Sequence, residues 1–207
     1  SPAVKLDLPK GKRVILFAPT FRNDGIDTEG KNINRSGLDQ LKQFDYDKLF
    51  HALNVKFGGD WVLICRFHPN VASLVNWDEL YKQYPGKILN GNIGSDMAEY
   101  LAKTDILVTD ASSCMFDFAL TKKPCFLFFP DYEHYINTER GIYRDITTFP
   151  FPLSISFDDF IRSINQFDED EFRNRTQLLL EEFGFVDDGK ASERIVKHIL
   201  KEVYSHA

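Results

Sequence analysis

The stretch DILVTDASSCMFDFALTKKPCFLFF, residues 105–129, decides the fold. Ile106, Leu107 and Val108 make Asp105–Thr109 a short apolar run of the kind that forms a buried strand. Between Ser112 and Lys122 the apolar residues shift to helical spacing, with Met115, Phe116, Ala119 and Leu120 on one face. Pro124–Phe129 is apolar again and reads as a second strand. Two strands joined through a helix run parallel, because an antiparallel pair is joined by a hairpin and has no use for the crossover. Thr109, Asp110, Ser112 and Ser113 sit at the joint where strand turns into helix.

Outward from this unit the alternation repeats. Arg13–Ala18 reads as a strand closed by Pro19, and Thr20–Ser36 as a long polar loop. Asp45–Phe57 carries Tyr46, Leu49, Phe50, Leu53 and Phe57 at helical spacing and stops at Gly58-Gly59. Trp61–Phe67 is a strand ended by His68-Pro69, Trp77–Tyr84 a helix and Lys87–Leu89 a brief strand. Ser95 is the expected cap of a helix containing Met97, Ala98 and Leu101. Beyond Pro130 the pattern loosens: DYEHYINTERGIYRDI has little period, and FPFPLS is extended or loop. Phe157–Ser163, Asp170–Phe183 and Lys190–Val203 read as helices. The result is an α/β chain: one domain over residues 1–207, a parallel sheet covered by helices on both faces across about 13–150, and C-terminal helices across 157–204.

Composition sets bounds. The 207 residues are 43% hydrophobic and 27% charged, and the 19 phenylalanines supply ample core material. A net charge of −6 argues against nucleic acid as a partner. Cys65, Cys114 and Cys125 all lie in apolar runs, as buried free thiols in a reducing compartment would. The spacing of Cys and His suggests no metal, and no apolar run is long enough to span a bilayer. The opening SPAVKLDLPKGKR runs almost directly into a strand, as in a segment cut from a longer protein.

In an open parallel sheet ligands collect outside the carboxyl ends of the strands. Three stretches place polar groups there: APTFR after the first strand, RFHPN after the second and TDASS after Val108. A helix starting at Ser112 or Ser113 offers free amides and two hydroxyls to an anion, with Asp110 orienting the turn or meeting a ligand hydroxyl. The plainer reading is that Ser, Thr and Asp are ordinary caps. His68 is either an exposed strand stop or an imidazole aimed at a leaving phosphate. Arg22 is either a bidentate phosphate clamp or a surface arginine. Glu139 and Arg140, beside Gly141, suit ribose hydroxyls and a phosphate, or a simple salt bridge. The glycine fingerprint of dinucleotide-binding folds is absent.

In order, ILFAPTFR, RFHPN, DILVTDASSCMFDFALTKKPCFLFFPDYEHY, ERGIYRD and DDGKASERIVKHIL resemble the C-terminal half of the CDP-glycerol glycerophosphotransferase family, the teichoic acid polymerases and primases. The resemblance implies a Rossmann-like half of a GT-B fold that binds the nucleotide donor, CDP-glycerol or a related CDP-polyol, without a metal or other cofactor. It implies transfer of glycerol phosphate to a polyol-phosphate acceptor with release of CMP. The acceptor would be held by an N-terminal domain absent here, so this piece alone is expected to be inactive. The parent protein would be cytoplasmic, peripheral to the inner face of the bacterial plasma membrane. By the same resemblance His68 sits beside the diphosphate and Ser112 and Ser113 bind phosphate. Thr20 and Arg22 belong to the matching first loop, and Glu139 and Arg140 to the matching RG segment. The family commonly carries an aromatic residue, usually Tyr, where this chain has Ala111. Two other readings stay open: a GT-B half using another nucleotide-sugar, and a non-enzymatic flavodoxin-like binding module.

Overall fold

The computed structural model describes residues 9–20, 22, 36–93, 96–139, 144–186 and 188–205. Six strands form the centre: β1 (Arg13–Phe17), β2 (Trp61–Cys65), β3 (Ile88–Asn90), β4 (Ile106–Thr109), β5 (Cys125–Phe128) and β6 (Leu153–Ser154). Every neighbouring pair is parallel, in the order β3-β2-β1-β4-β5-β6. All residues of β2, β4 and β5 are buried, so these strands are apolar without alternation, as covering on both faces requires.

Around the sheet lie α1 (Ser36–Lys42), α2 (Tyr46–Phe57), α3 (Pro69–Ala72), α4 (Trp77–Gln83), α5 (Met97–Lys103), α6 (Cys114–Ala119), α7 (Tyr132–His134), α8 (Phe157–Gln166), α9 (Glu169–Glu182) and α10 (Ala191–Ser205). Their starts are written into the chain. Asp45, Asn76, Asp96, Ser156 and Asp168 each accept a hydrogen bond from the amide three residues on. Each such cap is worth about 1 kcal/mol. The cap of α5 is therefore Asp96; Ser95, expected in that role, lies outside the described residues. At the other end of α2, Gly58 takes φ +68° while its amide closes on the Asn54 carbonyl, a conformation that favours glycine.

Right-handed crossovers fix which face each helix covers. The step from β1 to β2 goes one way across the sheet, and the steps to β4 and β5 go the other, so α2 lies on the face opposite α5 and α6. Helix α8 packs against α2, and α5 against α6. Phe44 anchors the first face: the rings of Phe17, Tyr46, Phe128, Phe157 and Phe160 surround it at centroid distances of 5.1–6.1 Å. Cys65, Cys114 and Cys125 are buried free thiols, as expected, and burial pushes the pKa of each upward.

Three elements depart from the sequence reading. The sheet continues past residue 150, because Leu153 and Ser154 of the FPFPLS segment pair with Leu127 and Phe128. Helix α6 is shorter than Ser112–Lys122 because Lys122 takes φ +53°, a left-handed turn that ends the helix just before Pro124. Helix α1 begins at the end of the stretch read as loop; of Thr20–Arg35, only residues 20 and 22 are among those described. Helix α10 differs from the rest: residues 191–204 are all exposed, including Ile195, Ile199 and Val203. Among the described residues no helix is long and apolar enough to cross a membrane.

Candidate functional site

The strand order reverses at β1. From β1 the chain builds β2 and β3 on one side, then crosses back to build β4, β5 and β6 on the other. The crevice outside the carboxyl ends of β1 and β4 is thus a topological switch point, where open α/β sheets bind ligands. The strand tips there are stitched together. The Ala18 amide donates to Val108 O at 2.9 Å, Thr109 Oγ1 to Ala18 O at 2.7 Å, and the Arg66 amide to Phe17 O at 2.8 Å.

Below the crevice lies a buried ionic network. Asp110 is 0% exposed and Arg22 1%. Arg22 Nη2 donates to Asp110 Oδ2 at 2.8 Å, Nε to Asp131 Oδ2 at 2.9 Å and Nη1 to Thr20 O at 3.2 Å. Its guanidinium carbon lies 4.3 Å from the Tyr135 ring centroid and 5.0 Å from that of Phe129. Burial alone would lower the Arg22 pKa; Asp110 and Asp131 outweigh it and raise it above the ordinary range. The other Asp110 oxygen accepts from both the amide and the hydroxyl of Thr20, and Gln40 Nε2 reaches Oδ2 at 3.5 Å.

Of the two readings of Arg22, a surface arginine is not what the structure has: the side chain is buried, and its fork is taken up by two carboxylates and a carbonyl. The Asp110 oxygens hold Thr20, Arg22 and Gln40, out of reach of solvent. Thr20 belongs to the same scaffold. Asp131, Gln40 and Tyr135 complete the network without having been singled out in the sequence. Their separations from it along the chain leave no local motif to find them by.

Above the network the serine turn is open. Ser113 is exposed and Ser112 half-buried. Ser113 stands at the N-cap of α6 yet makes no side-chain cap, whereas Ser112 Oγ accepts weakly from the Cys114 amide at 3.4 Å. The Met115 and Phe116 amides are engaged by Ser112 O and Ser113 O. Among the described residues the Ser113 hydroxyl has no hydrogen-bond partner. On the other side of β1, His68 is exposed at the tip that follows β2. Its carbonyl accepts from the Val71 and Ala72 amides at 2.9 and 3.0 Å.

This tip leans on the NGN turn after β3, which the sequence reading passed over. Asn92 Oδ1 accepts from the Phe67 amide at 3.0 Å, and Asn92 Nδ2 donates to Phe67 O. Arg66 Nη1 donates to Gly91 O at 2.6 Å, and its guanidinium lies over the Tyr100 ring. At Gly91 a side chain has no room, since a Cβ would fall 2.7 Å from Ile64 Cγ2 and 3.0 Å from Cys65 O. Asn-Gly is a turn signal that could have marked the segment. Glu139 closes a π-helical turn, Tyr135–Glu139, but its side chain and all of Arg140 lie outside the described residues.

An open parallel sheet reversing beside β1, with its serine turn and imidazole on the flanking tips, is the Rossmann-like half of a GT-B fold. A solved structure of the wall teichoic acid polymerase TagF superposes with a TM-score of 0.69 at 26% identity, over 97% of this chain and 46% of that one. The chain belongs to the family described as CDP-Glycerol:Poly(glycerophosphate) glycerophosphotransferase, whose model matches residues 3–201. It is 30% identical over 200 residues to the teichoic acid poly(glycerol phosphate) polymerase of Bacillus subtilis (strain 168), covering 95% of this chain and 25% of the relative. It is 34% identical over 194 residues to the teichoic acid poly(ribitol-phosphate) polymerase of Bacillus spizizenii, covering 92% and 28%. The chain thus spans between a quarter and a half of the length of these proteins.

Proposed function

We propose that this chain is the donor-binding half of a CDP-glycerol glycerophosphotransferase. An acceptor hydroxyl oxygen bonds to the β-phosphorus of CDP-glycerol and gives up its proton, the bond from that phosphorus to the bridging oxygen breaks, and CMP departs with the electron pair, the released proton balancing the charge of the departing phosphate. Negative charge grows on the leaving phosphate, so fixed donors around it lower the barrier. Ser113 Oγ, Ser112 Oγ and the backbone amides of these two serines bind the diphosphate, and the His68 imidazole donates to the departing phosphate. Helix α6 is short, so hydroxyls and amides carry the binding more than a helix dipole does. The scaffold of Asp110, Arg22, Asp131 and Thr20 holds the turn without touching the donor.

The observation that supports this reading is the exposure of Ser113 and His68 on the tips flanking β1, where β2 and β4 lie two strand spacings, about 10 Å, apart. The family's description, which speaks of CDP-glycerol, supports that choice of donor. The relatives are two to four times longer, and we place the acceptor-binding groups on their additional chain, so this piece alone turns over little or no substrate. A parent protein working at the inner face of the plasma membrane accords with relatives named for teichoic acid.

Calorimetry tests the proposal. CDP binds saturably, and His68→Ala, or Ser112→Ala with Ser113→Ala, weakens it about tenfold or more, the worth of hydrogen bonds to a charged group. Absence of heat with CDP, CMP and CDP-glycerol alike refutes it. UDP or GDP outcompeting CDP would point to another nucleotide-sugar. Indifference to every nucleotide by a folded chain would point to a non-enzymatic module. Because one relative is named for ribitol phosphate, CDP-ribitol belongs in the same competition series.

A further inference from the structure

We infer that Asn92 is a positioning residue for His68: its side-chain amide pairs both backbone groups of Phe67 and so fixes the peptide that carries the imidazole. The inference rests on the role proposed for His68 above. Four observations lead to it.

First, β2 and β3 run out of mutual backbone pairing at the Cys65–Asn90 rung, after which the Gly91 amide donates to Cys65 O at 2.8 Å. Beyond that point no strand remains to hold Phe67. The Asn92 amide takes over, presenting a carbonyl and an N–H with the same polarity as a peptide group. Second, the Phe67 carbonyl belongs to the same rigid plane as the His68 N–H. Holding that oxygen sets the direction in which the His68 Cα leaves the tip. On its far side the His68 carbonyl is held by the first turn of α3, so the backbone is fixed on both sides while the ring stays exposed.

Third, Asn92 is itself held. Its backbone N–H donates to Asn90 Oδ1 at 2.9 Å, and the turn lies so close to β2 that only glycine fits at position 91. Fourth, the Phe67 ring is buried against Phe17 at 5.9 Å, which ties the same peptide to the end of β1. The imidazole is thereby referenced to the switch point from two directions, the core and the NGN turn.

A residue that acts only through His68 has no effect once the imidazole is gone, whereas one that merely supports the fold does. A double-mutant cycle on CDP binding by the 207-residue chain separates these roles. Asn92→Ala weakens CDP about five- to tenfold in the presence of His68, and less than about twofold in the His68→Ala background. Asn92→Asp keeps the acceptor for the Phe67 amide, loses the donor, and falls between. It also serves where the alanine variant melts too low to measure. Equal weakening by Asn92→Ala in both backgrounds overturns the inference, as does normal CDP binding by Asn92→Ala when His68→Ala binds weakly. Normal binding by His68→Ala instead overturns the reading of the site on which the inference rests.

Discussion

Arg22 shows how far a side chain's role depends on what surrounds it. The guanidinium is closed in by Asp110, Asp131, Thr20 and two aromatic rings, and it neutralises a carboxylate that solvent cannot reach. Removing one partner of a buried pair leaves the other charged and unpaired, which costs about 3–5 kcal/mol. Arg22→Ala is therefore expected to lose that much in urea denaturation, and a loss below about 1 kcal/mol would contradict the network. Arg22→Lys recovers part at most, since an ammonium cannot face both carboxylates and stack on Tyr135. The placement of Asp110, Ser112 and Ser113 at a strand-to-helix joint was legible locally, because an apolar run followed by helical spacing marks such a joint. That of Arg22 was not: Asp131 stands 109 positions away, and only the folded sheet reveals that the two are partners. Asn92, 25 positions from Phe67, was hidden for the same reason.

Among the elements, strands buried on both faces and helices with an apolar period could be read directly, since continuous apolar runs and helical spacing are local signals. What escaped notice was set by neighbours. Strand β6 is two residues long and exists because β5 offers an open edge; α1 is a single short helix after a polar run. The starts of β1, β2 and β3 are tied by Asp60, which meets Lys12 at 2.9 Å and Lys87 at 3.1 Å. Hydrogen bonds from Lys12 and then Lys87 hold its pKa below the ordinary value. A depressed folded pKa stabilises the fold above the unfolded value, near 4, and that contribution is lost as pH falls through the folded value. Asp60→Asn should thus melt below the wild type at neutral pH, with the gap closing below about pH 4. A gap that persists in acid would mean that the carboxylate charge is not its cause.

At the scale of the whole molecule, stability is uneven. The sheet and helices α2 to α9 share a core, but α10 makes no substantial contact with another described element. An isolated helix of its 15 residues is marginal in water. Its amide hydrogens should exchange orders of magnitude faster than those of β1 or β4, with a free energy of opening near zero. Protection in α10 equal to that of the sheet would show that it is held by contacts other than those described.

The reversal of strand order has a consequence of its own. Thr20 and Asp110, which meet beneath the crevice, are 90 positions apart, and between them the chain lays down the other wing of the sheet before returning. No fragment holding a single wing contains the cleft. Any solute lodged there recognises the completed chain alone, and mass action then draws the unfolding equilibrium toward the native form, by about 2.7 kcal/mol at a hundred times its dissociation constant.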